Sequence, residues 1–365
     1  MNLFSEDPYD GKSYKNFINS ITRDLGKSRK VCSFFSGCGG LDLGLKWAGF
    51  ELAFANEIDK NAAATFKHNL GQEVCRTSIS ELAADLVPDA DLFVGGFPCQ
   101  PFSYSGLRKG LEDTRGTLFF DFARIISEKL PKSILIENVA GFAKHDSGRT
   151  LQTVLNVLND IGYETKYAVL NAEDFGVPQT RRRTFIFGTL KSINVKNFSF
   201  PQSFASGCGV KEAIDDLIEA TDVSNNEPMQ HRARIIERFS KIPPGGTWRD
   251  VPEEHRPRLR GDPTKISHKN MRLQSHQRLD PEKPCYTITA NIQTHFIHYS
   301  QDRNLSPREA ARLQSFPDDY FFVGKRSFMS WDTELSQYQQ IGNAVPPLLG
   351  RAIGREIKVF LDKVK

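Results

Sequence analysis

A cysteine held between two prolines is the strongest chemical signal in this sequence. Residues 95–103 read Gly-Gly-Phe-Pro-Cys-Gln-Pro-Phe-Ser and follow the short apolar run 91–94, which predicts a buried strand. The prolines fix the backbone around Cys99 and remove two amide donors. That rigid setting suits a nucleophile that must be aimed and reachable. A tight connection whose small cysteine merely packs explains this stretch equally well, so the rest of the chain has to decide.

A carboxylate ends the next predicted strand. Residues 133–136 are apolar and lead into Glu137-Asn138-Val139. Because ligands of open α/β sheets collect outside the carboxyl ends of the strands, Glu137 would point into the same crevice as Cys99. A single Glu at a strand end is usually a solvated cap or an ion-pair partner. Coupled to Cys99, it becomes a candidate general acid.

Three consecutive arginines precede another apolar strand, 184–188. Such a run can simply face solvent. In a strand, however, alternate side chains share a face. We therefore expect Arg181 and Arg183 to face the site together, with Arg182 pointing away.

A glycine turn opens the chain's first predicted strand–helix unit. Strand 31–35 is followed by Ser36-Gly37-Cys38-Gly39-Gly40, a helical pattern over 41–47 and a second strand that ends at Glu57. Glycines at such a turn bring backbone amides near a ligand. Glu57 lies 20 residues after Gly37, near the spacing at which an acid meets ribose hydroxyls. The third glycine of the dinucleotide pattern is absent, so adenosyl cofactors other than NAD remain open.

Composition narrows the class of protein. The chain has 365 residues with 39% apolar content, enough for a large core and for two domains. It contains no apolar run of membrane-spanning length and no signal-peptide core, which predicts an intracellular protein. Its six cysteines include no metal-binding spacing, so we expect neither a structural metal nor disulfides.

Basic residues concentrate in one window, 229–283. It holds 13 Lys and Arg against 7 Asp and Glu, a net charge of +6, whereas the whole chain carries +4. This favours a polyanion partner, although solvated basic faces are commoner than binding faces. Periodicity fades over 191–300, which indicates a second, loop-rich domain. It returns at Ser306, where Glu309 completes a predicted capping box.

Assembled in order, these blocks resemble the DNA (cytosine-5) methyltransferases. The matching stretches are 35–40, 56–57, 96–103, 137–139, 179–183, 308–317 and 340–347. The family implies a doubly wound, mostly parallel Rossmann-like α/β sheet and a smaller, loop-rich target-recognition domain. The implied borders are an N-terminal extension over 1–30, a catalytic domain over 31–190, a target-recognition domain over 191–328 and a return to the catalytic domain over 329–365.

The resemblance also assigns roles to single residues. Cys99 would be the nucleophile, Glu137 would act at N3 of the cytosine, Arg183 would lie on its O2, and Arg181 would lie nearer the loop or a phosphate. The implied cofactor is S-adenosyl-L-methionine, and its expected binding residues are Phe35, Ser36, Gly37, Gly39, Gly40, Glu57, Ile58, Ser78, Ile79, Pro98, Asn343 and Ala344. Ile58 and Ser78 depart from the family, since many members have an aromatic residue and an Asp at these two positions.

The expected partner is double-stranded DNA, bound by a monomer in the cytoplasm and at the nucleoid. A cognate restriction endonuclease would be a functional rather than a physical partner. Two alternatives stay open. An RNA cytosine-5 methyltransferase could share the scaffold, and a non-catalytic DNA-binding relative could have kept the fold.

Overall fold

A computed structural model describes most of the chain. The described residues are 9, 11–98, 118–204, 206–256, 258–259, 262–266, 276–292 and 295–364. Cys99, the loop residues that follow it and the run 106–116, which contains three glycines, lie outside them, as do parts of the basic window. None of the described helices combines the length and the apolar character needed to span a bilayer.

Helices and strands alternate through the first half of the described chain. The strands are β1 (Arg29–Phe34), β2 (Phe50–Asn56), β3 (Val74–Cys75), β4 (Leu92–Gly95), β5 (Ser133–Val139), β6 (Tyr163–Asn171), β7 (Arg182–Leu190), β8 (Arg258–Leu259), β9 (Asp262–Ile266), β10 (Gln277–Arg278) and β11 (Phe296–Ile297). The helices are α1 (Tyr14–Asn19), α2 (Gly40–Trp47), α3 (Lys60–Leu70), α4 (Leu118–Lys129), α5 (Arg149–Ile161), α6 (Val210–Ile214), α7 (Ala233–Ser240), α8 (Pro307–Leu313), α9 (Gln337–Asn343) and α10 (Pro347–Lys363).

The described chain divides into two compact units. The first, here called the sheet unit, takes the described residues of Thr22–Ala172, Arg182–Ser203 and Val345–Lys365. The second unit takes those of Met1–Ile21, Glu173–Arg181 and Phe204–Ala344. Each unit is assembled from three separate stretches, and the predicted functional borders at residues 30, 190 and 328 stay a prediction.

A seven-stranded sheet forms the centre of the sheet unit. Its order is β3-β2-β1-β4-β5-β7-β6, with β7 antiparallel to both of its neighbours and the other pairs parallel. All four residues of β4 are buried, as expected for a central parallel strand covered on both faces. The order reverses direction between β1 and β4, which places a ligand-binding crevice at the carboxyl ends of these two strands. The predicted fold class is confirmed.

Helix α2, from the beginning of the sheet unit's sequence, packs closely against α10, from its end. An ideal Cβ on Gly44 of α2 would lie 2.4 Å from the Pro347 carbonyl oxygen of α10, and one on Gly354 would lie 2.8 Å from the Ala48 Cβ. The absence of side chains at these glycines lets the two helix backbones approach each other. The fit of α2 against α10 therefore depends on glycine.

One acid is buried in the first turn of α2. Asp42 is only 1% exposed, and its Oδ1 has no hydrogen-bond partner among the described residues. Burial raises the pKa of Asp42 to about 7, while a hydrogen bond with Ser33 opposes the rise. Asp42 therefore takes up a proton far more readily than an exposed acid.

Buried arginines hold the loops of the second unit. Arg308 donates to the backbone carbonyls of Ser224, Pro317 and Tyr320 at 2.6–3.0 Å. Arg308 belongs to α8, which begins with the predicted capping box. In it the Ser306 side chain accepts from the Glu309 backbone amide, and the Glu309 side chain accepts from the Ser306 backbone amide. Guanidinium groups thus replace regular secondary structure as the hydrogen-bond partners of loop carbonyls.

The sequence also predicts a helix over residues 80–86, and this prediction is wrong. Residues 80–86 form a turn and a short 3-10 helix, Ala84–Leu86, instead of an α-helix. The guanidinium of Arg124 donates to the carbonyls of Ile79 and Leu82 at 3.0 and 2.9 Å. A long-range side chain therefore satisfies carbonyls that a helix would have bonded locally.

We expect Gly44→Ala to lower the free energy of unfolding by about 1–3 kcal/mol, because the new methyl group overlaps the α10 backbone. Urea unfolding followed by circular dichroism measures the loss. Gly141→Ala is the matched control, since a Cβ there would meet nothing within 4 Å. Equal stabilities of the two variants would contradict the packing described for α2 and α10.

Stability should depend on pH through Asp42. As pH rises, the unfolded chain releases this proton near the usual pKa of 3.8, whereas the native protein keeps it until about 7. The contribution of Asp42 to stability therefore falls between about pH 4 and 7 and stays low above that range.

We expect Asp42→Asn to remove this fall. Relative to the parent protein, the variant should gain about 2–4 kcal/mol in unfolding free energy between pH 5 and pH 8. Urea titrations at both pH values measure the difference. Asp89→Asn is the control, because Lys129 lowers the pKa of the exposed Asp89 carboxyl. This carboxyl therefore stays ionised between pH 5 and pH 8, and the effect of its substitution should not change over that range. A pH-independent difference for Asp42→Asn would show that its carboxyl titrates normally.

Candidate active site

Two neighbouring strands bring the candidate catalytic loop to Glu137. Strands β4 and β5 pair in parallel with Gly95 opposite Ile136, so the chain leaving β4 passes the residue that follows Ile136. An ideal Cβ on Gly96 would lie 3.0 Å from Glu137 Oε2. The described part of the loop ends at Pro98, one residue before Cys99.

Glu137 forms a nearly buried ion pair with Arg183. The Arg183 Nε lies 3.0 Å from Glu137 Oε1, and each side chain is 13% exposed. Burial lowers the pKa of the Arg183 guanidinium, and the negative charge of Glu137 opposes this shift. Antiparallel pairing of β5 with β7 sets Val139 opposite Arg183, which explains how the two side chains meet. The structure thus brings these two predicted site residues together.

Asn138 connects β5 to the same loop. Its Nδ2 donates to the Phe97 carbonyl oxygen at 3.1 Å, and its Oδ1 accepts a hydrogen bond from the Val139 amide at 2.9 Å. The Phe97 ring packs against Phe119 and Phe142, with centroids 5.4 and 6.1 Å apart. The packing of the Phe97 ring and the hydrogen bond to the Phe97 carbonyl together hold the loop at this residue.

Arg181 precedes β7. It is fully buried in the second unit, where its guanidinium donates to the carbonyls of Ile288, Gly342 and Ala344 at 2.5–2.8 Å. The expectation of a shared face assumed a strand, but β7 begins at Arg182. These hydrogen bonds make Arg181 a structural support for the segment 342–344, and its expected place near the loop or a phosphate stays a prediction. Arg182 is exposed, as expected.

The glycine turn and Glu57 are joined by hydrogen bonds. Glu57 accepts from the Gly37 amide and from the Asp59 amide, both at 2.8 Å. Burial raises the pKa of Glu57, and these two amide hydrogen bonds oppose the shift. Gly37 and Gly39 have φ of +56° and +88°, values that favour glycine. An ideal Cβ on Gly37 would meet nothing within 4 Å, so open space borders the turn beside the Glu57 carboxylate.

The other expected donor-binding residues of the sheet unit lie at nearby strand ends. Phe35 has a left-handed φ of 53°, Ser36 donates to the Ser33 and Asn56 carbonyls, and Ile58 is 62% exposed. Ile79 is buried, and the Ser78 and Ser80 hydroxyls are 2.8 Å apart. Gly39 caps α2, Gly40 begins it, and Pro98 is exposed.

Asn343 and Ala344 belong to the second unit. Asn343 is the last residue of α9 and is exposed, and Ala344 follows it as the C-cap. The basic window is described only in part, since 257, 260–261 and 267–275 lie outside the described residues.

Sequence reasoning missed the two asparagines that organise these strand ends. Asn56 donates to the carbonyls of Cys75 and Thr77 at 2.9 and 2.8 Å and so holds the segment leading to Ser78. Asn138 plays the corresponding part for the cysteine loop. Their positions directly after strands were visible, but the carbonyls that they bind are 19–41 residues away in sequence.

Known relatives match almost the whole chain. A Type II methyltransferase of Desulfomicrobium norvegicum, M.DdeI, is 38% identical over 92% of this chain and 89% of its own length. The Escherichia coli Type II methyltransferase M.Eco47II is also 38% identical, over 92% of this chain and 80% of its own. These identities extend through both units.

Solved structures share the fold. A prophage-encoded Escherichia coli protein, provisionally named a DNA modification methyltransferase, superposes with a TM-score of 0.68 at 24% identity, covering 92% of this chain and all of its own. The Dnmt2 methyltransferase of S. pombe gives 0.55 at 22% identity, covering 93% and 100%.

A family model assigns the chain to a known protein family. The model of the C-5 cytosine-specific DNA methylases matches residues 29–359, which include β1 through most of α10. With relatives 38% identical over most of their length, this match is decisive. The chain belongs to the C-5 cytosine-specific DNA methylase family and is a DNA methyltransferase.

Proposed function

We propose that this enzyme transfers a methyl group from S-adenosyl-L-methionine to C5 of a flipped-out cytosine in a specific duplex DNA sequence, through a covalent bond between Cys99 Sγ and cytosine C6. The family supports the reaction class. The observation that carries the site assignment is the junction at Gly96, where the strand leading to Cys99 passes within van der Waals reach of the Glu137 carboxylate.

The thiolate would make cytosine C5 reactive enough for methyl transfer. C5 is a poor nucleophile, so an electrophilic methyl group beside it is not sufficient for the transfer. Addition of Cys99 Sγ to C6 breaks the aromaticity of the ring and moves electron density to C5, which divides one difficult step into easier ones. Glu137 would protonate N3 as sulfur adds, so that the negative charge developing on the ring is neutralised.

Arg183 would assist both Glu137 and the cytosine. Its guanidinium pairs with Glu137. A shift of the guanidinium toward the cytosine O2 would keep it within reach of both the base and the Glu137 carboxyl group. Its side chain is largely excluded from water, which strengthens charge-assisted hydrogen bonds. We therefore assign Arg183 to O2 and to the orientation of Glu137.

Completion of the cycle restores the ring and the enzyme. When bound, S-adenosyl-L-methionine supplies an electrophilic methyl group, which forms the new bond to C5. A base then removes the proton from C5, and the C6–S bond breaks, which returns the electron pair to Cys99 as a thiolate. N3 gives its proton back to Glu137, and neutral 5-methylcytosine is released.

The strand ends around Glu57 fit an adenosyl donor. Open space borders Gly37 next to the Glu57 carboxylate, and a carboxylate held by two amides is a preorganised acceptor for ribose hydroxyls. Ile58 presents an exposed apolar side chain one residue later, which suits the face of an adenine. We assign Phe35, Ser36, Gly39, Gly40, Ser78, Ile79 and Pro98 to the same donor site. Asn343 and Ala344 stay donor-binding residues by the family resemblance alone.

DNA recognition is assigned to the second unit. The target base must leave the duplex at a cost of roughly a few kcal/mol, and cationic side chains of the window 229–283 would contact phosphates. Because phosphate contacts release counterions, binding should weaken steeply with salt. The Type II methyltransferases among the relatives support a role in a restriction–modification system, with the enzyme acting as a monomer beside a cognate endonuclease.

Cys99→Ala should abolish methyl transfer, because it removes the thiolate proposed to form the bond to C6. Transfer of radiolabelled methyl groups to duplex DNA measures activity, and duplexes containing 5-fluorocytosine should trap a covalent complex with the parent protein but not with Cys99→Ala. Cys208→Ala, in the second unit, serves as the control and should keep both activities. Normal turnover by Cys99→Ala would refute the covalent mechanism.

Glu137→Gln should slow methyl transfer by about 10²- to 10⁴-fold, since an amide of nearly the same shape cannot protonate N3. Single-turnover rates at saturating DNA measure this loss, and filter binding should show DNA affinity within a few-fold of the parent. Glu51→Gln, on an exposed position of β2, is the matched control. Similar rates for the two variants would remove Glu137 from the mechanism.

A further inference from the structure

Asn56 links the ends of three neighbouring strands. It is the last residue of β2, which lies between β1 and β3, and it is only 3% exposed. Its backbone carbonyl accepts hydrogen bonds from the Ser36 amide and hydroxyl at 3.1 and 3.2 Å. Its Nδ2 donates to the carbonyls of Cys75 and Thr77 at 2.9 and 2.8 Å. One residue therefore contacts both the glycine turn and the segment that follows β3.

Each side of this link continues into a proposed donor-binding residue. Glu57 follows Asn56, and Ser78 follows Thr77. The hydrogen bond that Asn56 donates to Thr77 is 2.8 Å long, so it limits how far the two strand ends can separate beside these donor-binding residues. The Glu57 amide also donates to the Cys75 carbonyl at 3.1 Å, which keeps the two chains side by side up to this point.

A second side chain spans the same gap, but water competes with it. Arg76 donates to the Ile58 carbonyl at 3.2 Å and is exposed. Asn56 is buried, and a hydrogen bond that is shielded from water is stronger than one in solvent. Asn56 therefore makes the firmer of the two links.

We propose that Asn56 is a positioning residue for the methyl donor, which keeps the Glu57 carboxylate and the segment 78–79 at the separation that an adenosyl group needs. The inference rests on the proposed function, in which Glu57 accepts from ribose hydroxyls and Ser78 and Ile79 belong to the same donor site. A nucleoside that touches both walls binds tightly when both are in place before it arrives, because ordering them on binding costs affinity. Asn56 supplies this order in the free protein.

Attachment of the segment to the sheet unit does not require Asn56. Strand β3 pairs with β2, Ile79 is buried in a core cluster, and Arg124 donates to the Ile79 carbonyl at 3.0 Å. However, β3 has only two residues and ends at Cys75, so residues 76–78 lie outside its pairing with β2. Loss of the Asn56 amide should therefore loosen these residues without detaching them.

Asn56→Asp tests this role in the absence of DNA and of catalysis. At pH 8 the new carboxylate has nearly the shape of the amide but cannot donate to the two carbonyls. We expect the affinity for S-adenosyl-L-homocysteine, measured by isothermal titration calorimetry, to fall by about 10-fold. The 2′,3′-dideoxy analogue of this ligand has no ribose hydroxyls for Glu57, and its affinity should fall by about threefold at most.

Comparison of the two ligands isolates the alignment of the two walls. A fixed separation matters to a ligand that engages both walls, and it matters little to a ligand that has lost one of the two contacts. General loosening of the fold would weaken both ligands by the same factor. Equal losses for the two ligands, or no loss for either, would overturn the positioning role.

Asn56→Ala guards against an effect of the introduced charge. It removes the same two hydrogen bonds without adding a carboxylate, so it should show the same difference between the two ligands. A difference seen with Asn56→Asp alone would assign the effect to charge and contradict the proposal. Urea unfolding checks that the variants fold, and Asn56→Ala decides the question if Asn56→Asp does not. Failure of both to fold would make Asn56 a structural residue and would also contradict the proposal.

Asn226→Asp is the matched control. The Asn226 Nδ2 also donates to two backbone carbonyls, those of Leu217 and Ala220, at 2.8 and 2.9 Å, but it does so in the second unit. This variant should bind both ligands as the parent does. It separates the loss of any amide that bridges two carbonyls from the loss of this particular one.

The outcomes separate the two proposals. If the parent methylates duplex DNA and the Asn56 variants bind both ligands as the parent does, the positioning role is wrong and the proposed function stands. If the parent neither binds S-adenosyl-L-homocysteine nor transfers a methyl group to duplex DNA, the proposed function fails, and the positioning role fails with it.

Discussion

The site depends on the parallel pairing of β4 with β5. Parallel neighbours end at the same edge of the sheet, so residues that are about 40 positions apart in sequence emerge side by side. Gly96 permits this closeness, because a Cβ there would lie 3.0 Å from Glu137 Oε2 and the carboxylate would have to move aside. The proposed acid, Glu137, and the described start of the loop that leads to the proposed nucleophile thus share one strand junction.

The carboxylates of Glu137 and Glu57 have different kinds of hydrogen-bond partner. At β5 and β7 a guanidinium pairs with a carboxylate in a poorly hydrated site, so each partner offsets the desolvation of the other. At β1 and β2 the Glu57 carboxylate is held by backbone amides instead. Amides cannot titrate or move away, which suits a constant acceptor, whereas the role proposed for Arg183 requires that it can exchange its partner.

Much of this arrangement could be predicted from the sequence, for identifiable physical reasons. Short apolar runs predicted the strand that leads to Glu57 and the strand that ends near Glu137, because a buried parallel strand has few polar residues. The expected shared face of Arg181 and Arg183 assumed that both lie in a strand, but β7 begins at Arg182. The helix over 80–86 failed because Arg124 competes for its carbonyls. Asn138 escaped notice because no local pattern reveals a partner 41 residues away.

The packing of α2 against α10 has a consequence for synthesis. Helix α2 forms from the first 50 residues, but the surface that it buries comes from the last helix of the chain. During translation α2 therefore waits with an apolar, glycine-lined face uncovered while roughly 300 further residues emerge, a delay of about 15–60 s at ordinary elongation rates. Nascent chains of this enzyme should accordingly be clients of ribosome-associated chaperones until termination releases α10.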